Sequence, residues 1–181
     1  MRIDFRTFTV KNTVYAIRSA KEADAVQLPD LRSRIDGETE HMDRESGEAP
    51  IDESGFAALI EADTASPVNL FAVAEIEGKL VGYARCEGRP LKRFAHRAEL
   101  GLGVLRDYWG LGIGSALLES LLEHAGAVGL TKLTLSVVET NVSAIRLYGK
   151  YGFEKEGVLQ RDRIHADGRF YATVLMGRFR G

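Results

Sequence analysis

The run Arg106-Asp-Tyr-Trp-Gly-Leu-Gly-Ile-Gly-Ser-Ala-Leu-Leu118, RDYWGLGIGSALL, sets glycines at 110, 112 and 114 and then passes into a strongly helical segment. The first N–H groups of a helix have no partner within it, and they carry a partial positive charge. Alternating glycines let those N–H groups converge on an anion with no Cβ in the way. The same glycines also suit a tight turn that starts a helix close to a sheet. The turn by itself leaves both readings open.

Two phosphate-binding patterns can be tested directly. A Walker A loop ends in Gly-Lys-Ser/Thr, whereas Gly114 is followed at once by Ser115. A dinucleotide fingerprint requires G-x-G-x-x-G, and Ser115 stands where its third glycine belongs. Glu139 lies 29 residues after Gly110 (139 − 110), beyond the ~20 at which a ribose-binding acid is expected. The polar insert Arg106 to Trp109 also parts the glycines from the preceding strand.

Outward from this turn the chain alternates strand-like and helical patterns. On the N-terminal side, Glu99 to Leu105 reads as a strand whose Gly101 and Gly103 suggest a bulge or a close approach by another group. Leu70 to Ile76 and Leu80 to Cys86 read as a hairpin about Glu77-Gly78-Lys79, and Arg85 to Arg97 as a basic loop around Pro90. Earlier still, Val14 to Ile17 is a short apolar stretch, and Ser19 with Glu22 forms a capping box for a helix through Ile35. Asp36 to Glu53 holds eight acids against one arginine and reads as a mobile loop or a frayed helix end. A helix over Glu53 to Ala62 follows, with Phe56, Leu59 and Ile60 at helical spacing.

On the C-terminal side, a helix from Gly112 to Val128 gathers Ile113, Ala116, Leu117, Leu121, Leu122 and Ala125 on one face. Glu119 and Glu123 point away, and His124 falls on the polar, solvated side. Lys132 to Val138 alternates as a strand, and Asn141 caps a short helix through Lys150 that Gly152 stops. Phe153 to Leu159 and Phe170 to Phe179 complete the set as strands about a turn at Asp167-Gly168. The order β-α-α-β-β-β-α-β-α-β-β predicts one α/β domain with a mixed sheet.

Composition narrows the class of function. The 181 residues are 45% apolar and 28% charged, with a net charge of −2, which argues against a nucleic-acid binder. Cys86 is the only cysteine, so neither an internal disulfide nor a cysteine-based zinc cluster is available. The opening MRIDFRTFTVKN has no apolar core of signal-peptide length, and no apolar run reaches membrane-spanning length. The expectation is a cytoplasmic protein with no membrane partner.

Two motifs then resemble the GNAT superfamily of acyl-CoA N-acyltransferases. One is the coenzyme A signature Gln/Arg-x-x-Gly-x-Gly/Ala, here Gly110-Leu-Gly112-Ile-Gly114 six positions after Val104. The other is Asn-x-x-Ala-x-x-Leu-Tyr-x-x-x-Gly-Phe, met by Asn141, Ala144, Leu147, Tyr148, Gly152 and Phe153. The resemblance spans residues 14–178, with its specific part at 99–153. The ending from Gly152 to Met176 is similar to the branch of ribosomal-protein and free-amino-acid N-acetyltransferases. Asp107 and Trp109 depart from the usual Gln/Arg and Arg, which leaves pyrophosphate binding to backbone N–H groups.

The resemblance implies a GNAT-like mixed sheet flanked by helices. It implies direct transfer of an acetyl group from acetyl-CoA to a primary amine of a small molecule or a protein N-terminus, in a ternary complex without metal. The pantetheine arm is expected along Leu102, Gly103 and Val104, and the pyrophosphate at Trp109, Gly110, Leu111, Gly112, Ile113, Gly114 and Ser115. Asn141 and Tyr148 lie seven apart and share a helix face. On the family pattern Asn141 contacts the pantetheine arm and Tyr148 sits near the sulfur. A phenol with a pKa near ~10 is protonated at neutral pH and can donate to the departing thiolate. Their plain alternatives are a helix cap and a packed aromatic.

Glu99 is the candidate general base, or else an ordinary strand acid; His96, His124 and His165 are weaker candidates. Lys150 either reaches a coenzyme phosphate or complements its helix C-terminus. The acidic segment 36–53 either attracts a cationic acceptor or is a solvated loop. A homodimer is among the assemblies the family leads one to expect. The alternative reading is a non-catalytic acyl-CoA-binding module on the same fold, which would bind cofactor and release no coenzyme A.

Overall fold

The computed structural model describes residues 3–180. Eight strands form one sheet: β1 (Arg6–Val10), β2 (Thr13–Ser19), β3 (Leu70–Ile76), β4 (Lys79–Gly88), β5 (Arg97–Val104), β6 (Lys132–Val138), β7 (Glu154–Ile164) and β8 (Phe170–Phe179). Their order across the sheet is β1-β2-β3-β4-β5-β6-β8-β7. Neighbours are antiparallel throughout except β5 and β6, which run parallel. Helices α1 (Leu28–Glu38), α2 (Glu53–Ala65), α3 (Ile113–Ala127) and α4 (Val142–Lys150) flank it.

The two faces are covered differently. A Cβ built on Gly103 would come 2.9 Å from Ile35 Cγ2, so α1 packs on the β5 face that carries Gly103. One built on Gly114 would lie 4.0 Å from Leu102 Cδ1, which places α3 on the opposite face. Ile113, Leu117, Leu118 and Leu121 are at most 1% exposed, and burying each such side chain contributes ~1.5–3 kcal/mol. This stripe anchors α3, and with it the glycine turn, to the middle of the sheet.

The strand and helix pattern read from sequence is present; beyond shifted element ends, such as β7 running on to Ile164 and β4 to Gly88, four differences stand out. Strand β1 precedes residue 14 and pairs with β2; its alternation is too short and polar to mark it. Ser19 does not cap a helix: it closes β2, and its Oγ accepts the Ile3 N–H at 2.9 Å. A 3-10 turn, Glu22–Val26, comes next, with the Asp24 carboxylate accepting the Lys21 N–H at 2.8 Å. Residues 36–38 complete α1, and the loop after them is tied down. Its Glu40 accepts the Ala166 N–H at 2.8 Å, and Asp43 pairs with Arg163 at 2.7 Å.

His124 is the fourth difference. It is 3% exposed rather than solvated, because the segment before β3 covers that side of α3. Its Nε2 donates to the Val68 carbonyl at 3.1 Å, and burial holds its pKa below the ordinary value.

Candidate active site

The feature that shapes the site is the brevity of the β5–β6 contact. Only Arg97, Ala98 and Glu99 are in register with Lys132, Leu133 and Thr134. Both strands run on, β5 to Val104 and β6 to Val138, without pairing. The sheet therefore opens into a wedge. Leu105 N–H bonds toward β4, to the Val81 carbonyl at 2.9 Å. Strand alternation then turns the N–H and C=O groups of Leu100, Leu102 and Val104 into the wedge. The Val104 carbonyl is already engaged, accepting the Trp109 indole N–H at 2.7 Å. This bond ties the turn after β5 back onto its strand, so Trp109 braces the site as well as lining its groove.

The glycine turn sits at the head of the wedge. Gly110 and Gly112 have φ of 77° and 78°, a left-handed conformation that favours glycine. Gly112 is the N-cap of α3, and its carbonyl accepts the Ala116 N–H at 3.0 Å. The N–H groups of Ile113, Gly114 and Ser115 are thereby left without helical partners. Leu111 packs against the core beside the turn. A cradle of backbone donors next to unpaired strand amides fits a long thioester whose amide-bearing arm leads to a pyrophosphate.

A cavity of about 290 Å³ occupies the wedge, and Glu99, Gly101, Leu102, Asn141 and Tyr148 all line it. Two of these predicted residues have structural duties as well. Asn141 Oδ1 accepts the Ala144 N–H at 3.2 Å and caps α4, leaving its amide nitrogen free to donate. Tyr148 packs on Phe153 with ring centroids 5.8 Å apart, and burial pushes its phenol up to about 12. Gly101 and Gly103 differ in purpose. A Cβ at Gly101 would meet nothing within 4 Å, whereas Gly103 makes room for Ile35 of α1. Lys150 is exposed at the end of α4 and lies among the residues of neither cavity nor groove.

Glu99 stands directly across from Glu87 of β4. Each acid has its own arginine: Arg89 Nη2 is 3.3 Å from Glu99 Oε2, and Arg85 Nη1 is 2.9 Å from Glu87 Oε2. Arg85 is held from behind by the buried Asp63, at 2.6 and 2.9 Å, and Asn69 Nδ2 donates to the same carboxylate at 2.8 Å. Asp36 of α1 is likewise buried, paired with Arg44 at 3.1 Å. Beyond Glu99 the cavity joins a groove of about 1530 Å³ beneath the acidic loop and the β7–β8 hairpin.

His41 is a residue that sequence reading missed. It lines both the cavity and the groove, and burial, then the neighbouring His165, hold its pKa below the ordinary value. Nothing local marked it, because its surroundings come from β5, β6 and the β7–β8 hairpin. His165 also lines the groove, while His96 is exposed and lines neither space. Among the described residues, no group of three or more His, Cys, Asp or Glu side chains is placed to hold a metal. None of the described helices is long and apolar enough to cross a membrane.

Comparison with known proteins bears on this geometry. The chain is 26% identical over 140 residues to an L-methionine sulfoximine/L-methionine sulfone acetyltransferase of Pseudomonas paraeruginosa, spanning 77% of this chain and 81% of the relative. The crystal structure of a GNAT-family acetyltransferase from Streptococcus pneumoniae superposes with a TM-score of 0.88 at 29% identity, over 92% of this chain and 99% of that one. A GNAT superfamily phosphinothricin acetyltransferase from Sinorhizobium meliloti, solved in complex with AcCoA, superposes with a TM-score of 0.79 at 25% identity, over 92% of this chain and 89% of that one. Residues 36–153, which hold the wedge, the glycine turn and α4, match the acetyltransferase (GNAT) family. The chain belongs to that family, the acetyl-CoA-dependent N-acetyltransferases.

Proposed function

We propose that this protein acetylates the amino group of a small amino-acid-like acceptor, by direct transfer from acetyl-CoA with both reactants bound together. The observation that carries the reading is the wedge, with Glu99 and Tyr148 lining one cavity and the acidic groove leading into it. The L-methionine sulfoximine/L-methionine sulfone relative supports an amino-acid-like acceptor.

Acetyl-CoA supplies an activated acyl carbon when bound. The chain's part is chiefly positioning, which alone can account for a large share of such a rate enhancement. Backbone groups of Leu100 and Leu102 pair with the pantetheine amides, the Asn141 amide nitrogen donates nearby, and the N–H groups from Gly110 to Ser115 hold the pyrophosphate. The acceptor enters as an ammonium, drawn by the acids of the groove. Glu99 takes one proton from it, directly or through water. The neutral nitrogen then bonds to the acyl carbon as the carbon–sulfur bond breaks, and Tyr148 Oη gives its proton to the leaving sulfur. The surplus proton on the new amide nitrogen passes, directly or through water, back to the tyrosinate, leaving amide and free thiol.

The test is release of free thiol from acetyl-CoA across a panel of amino acids, peptides and simple amines, with Glu99→Gln in parallel. Amino acids are expected to be turned over fastest, and Glu99→Gln to be at least about tenfold slower. No thiol release with any amine would sink the enzymatic reading. An unaffected Glu99→Gln would remove only its role as base.

A further inference from the structure

The groove holds two basic side chains whose hydrogen bonding is incomplete. Arg163 on β7 is anchored by its Nε, which donates to Thr173 Oγ1 of β8 at 2.9 Å. Its Nη2 lies 2.7 Å from Asp43 Oδ1, and its Nη1 is buried with no partner. Two residues on, His165 stacks on Tyr171 with ring centroids 4.2 Å apart. Its Nδ1 is 3.6 Å from Glu40 Oε2, too far for a hydrogen bond, and its Nε2 is buried with no partner.

The partners are unequal. The His165 and Arg163 side chains are only 8% and 16% exposed, whereas Glu40 and Asp43 on the loop are 53% and 71% exposed. An ion pair whose acid is mostly in water contributes little, while an unsatisfied buried nitrogen is costly. Two basic side chains so weakly matched, Arg163 near the end of β7 and His165 just beyond it, suit the two oxygens of a single carboxylate. Both side chains line the same groove as Glu99.

We propose that Arg163 and His165 form the subsite for the acceptor's carboxylate, so that the substrate class is amino acids with a free acid group. This rests on the acetyltransferase reading above, in which Glu99 receives the amine of the same molecule. Asp43 and Glu40 hold the two basic side chains in place until a ligand carboxylate, with its fixed geometry, takes over their positions. The loop acids then act as internal stand-ins for substrate.

The test is calorimetric binding to the protein loaded with coenzyme A, a readout independent of turnover. The probes are L-methionine sulfone, the proteinogenic L-amino acids and the C-terminal amide of each. At least one acid is expected to bind about tenfold or more tighter than its amide. Arg163→Gln should bring that ratio to within about twofold of unity and leave acetyl-CoA affinity unchanged, and Arg163→Lys, which keeps charge without the planar fork, should fall between. His165→Gln should reduce the ratio as well. A panel with no preference for acid over amide, or a preference that survives in Arg163→Gln, overturns the subsite. Thiol release with the amides would in that case leave the acetyltransferase reading intact. A clear acid preference with no thiol release would support the subsite and count against catalysis.

Discussion

Tyr148 shows how one side chain serves both fold and site. Its ring fills space against Phe153 while lining the cavity, and burial keeps the hydroxyl protonated well past neutrality. Tyr148→Phe keeps the packing and removes the proton. It is expected to lower kcat by about 100-fold with acetyl-CoA affinity unchanged, as read by thiol release and calorimetry. Because the phenol is pushed up to about 12, its deprotonation should produce no fall in kcat between neutral pH and pH ~10. Asn141 and Tyr148 could be singled out in the sequence because the Asn-x-x-Ala-x-x-Leu-Tyr-x-x-x-Gly-Phe motif that carries the family resemblance is local. His41, Arg163 and His165 were not legible as a group, since they meet only when the loop after α1 folds onto the β7–β8 hairpin. The Glu40–Ala166 bond that fastens them joins positions 126 apart.

At the scale of elements, the glycine turn and α3 are the most predictable part of the molecule. Periodicity fixed the apolar face of α3, and the glycines marked its start, because both signals are written within a few residues. Strands β6 and β8 and the Asn141 cap were equally plain, their patterns being local and uninterrupted. His124 was misjudged because a helix covered from two sides does not keep a polar face where the moment alone would put it. Gly103 was ambiguous for a related reason: its close neighbour is Ile35 of α1, far away in sequence. The turn can be tested by Gly112→Ala. Nothing nearer than the Tyr15 hydroxyl, at 3.6 Å, would meet the new Cβ, but φ is +78°. Stability should fall by about 1 kcal/mol from backbone strain, seen as a lower urea midpoint. Acetyl-CoA affinity should fall about tenfold as the backbone donors shift from their cradle. Unchanged affinity would show that the pyrophosphate is held elsewhere.

Across the whole molecule, acid sensitivity follows from histidines kept neutral by the fold. His124 and His41 both have pKa values depressed by burial below the ordinary 6.5. The unfolded chain therefore takes up protons first, and stability present above pH ~6.5 is lost as pH falls through the folded-state values. Urea midpoints should decline from pH 7.5 to 5, and His124→Gln should decline less steeply than the parent. A midpoint independent of pH over this range would contradict the assignment. The core holds one further shielded group, Cys86, fully buried and pushed up to about 12, so the native protein should remain silent in a thiol assay for coenzyme A release.

The wedge has a consequence for mechanics. Among the described residues, three register pairs at one end of β5 and β6 are the only strand-to-strand seam between a five-stranded leaf and a three-stranded one. Past that seam the leaves are bridged by side chains and by the loop latched to the hairpin. On the binding mode proposed above, acetyl-CoA brings its amides to the unpaired edge of β5 and behaves as a temporary ninth strand. The sheet is a book bound along a short spine, and the reactant is the page that stiffens it. If the cofactor is seated as proposed, the expected outcome is slower hydrogen exchange along β5 and β6 when acetyl-CoA is bound than when it is absent.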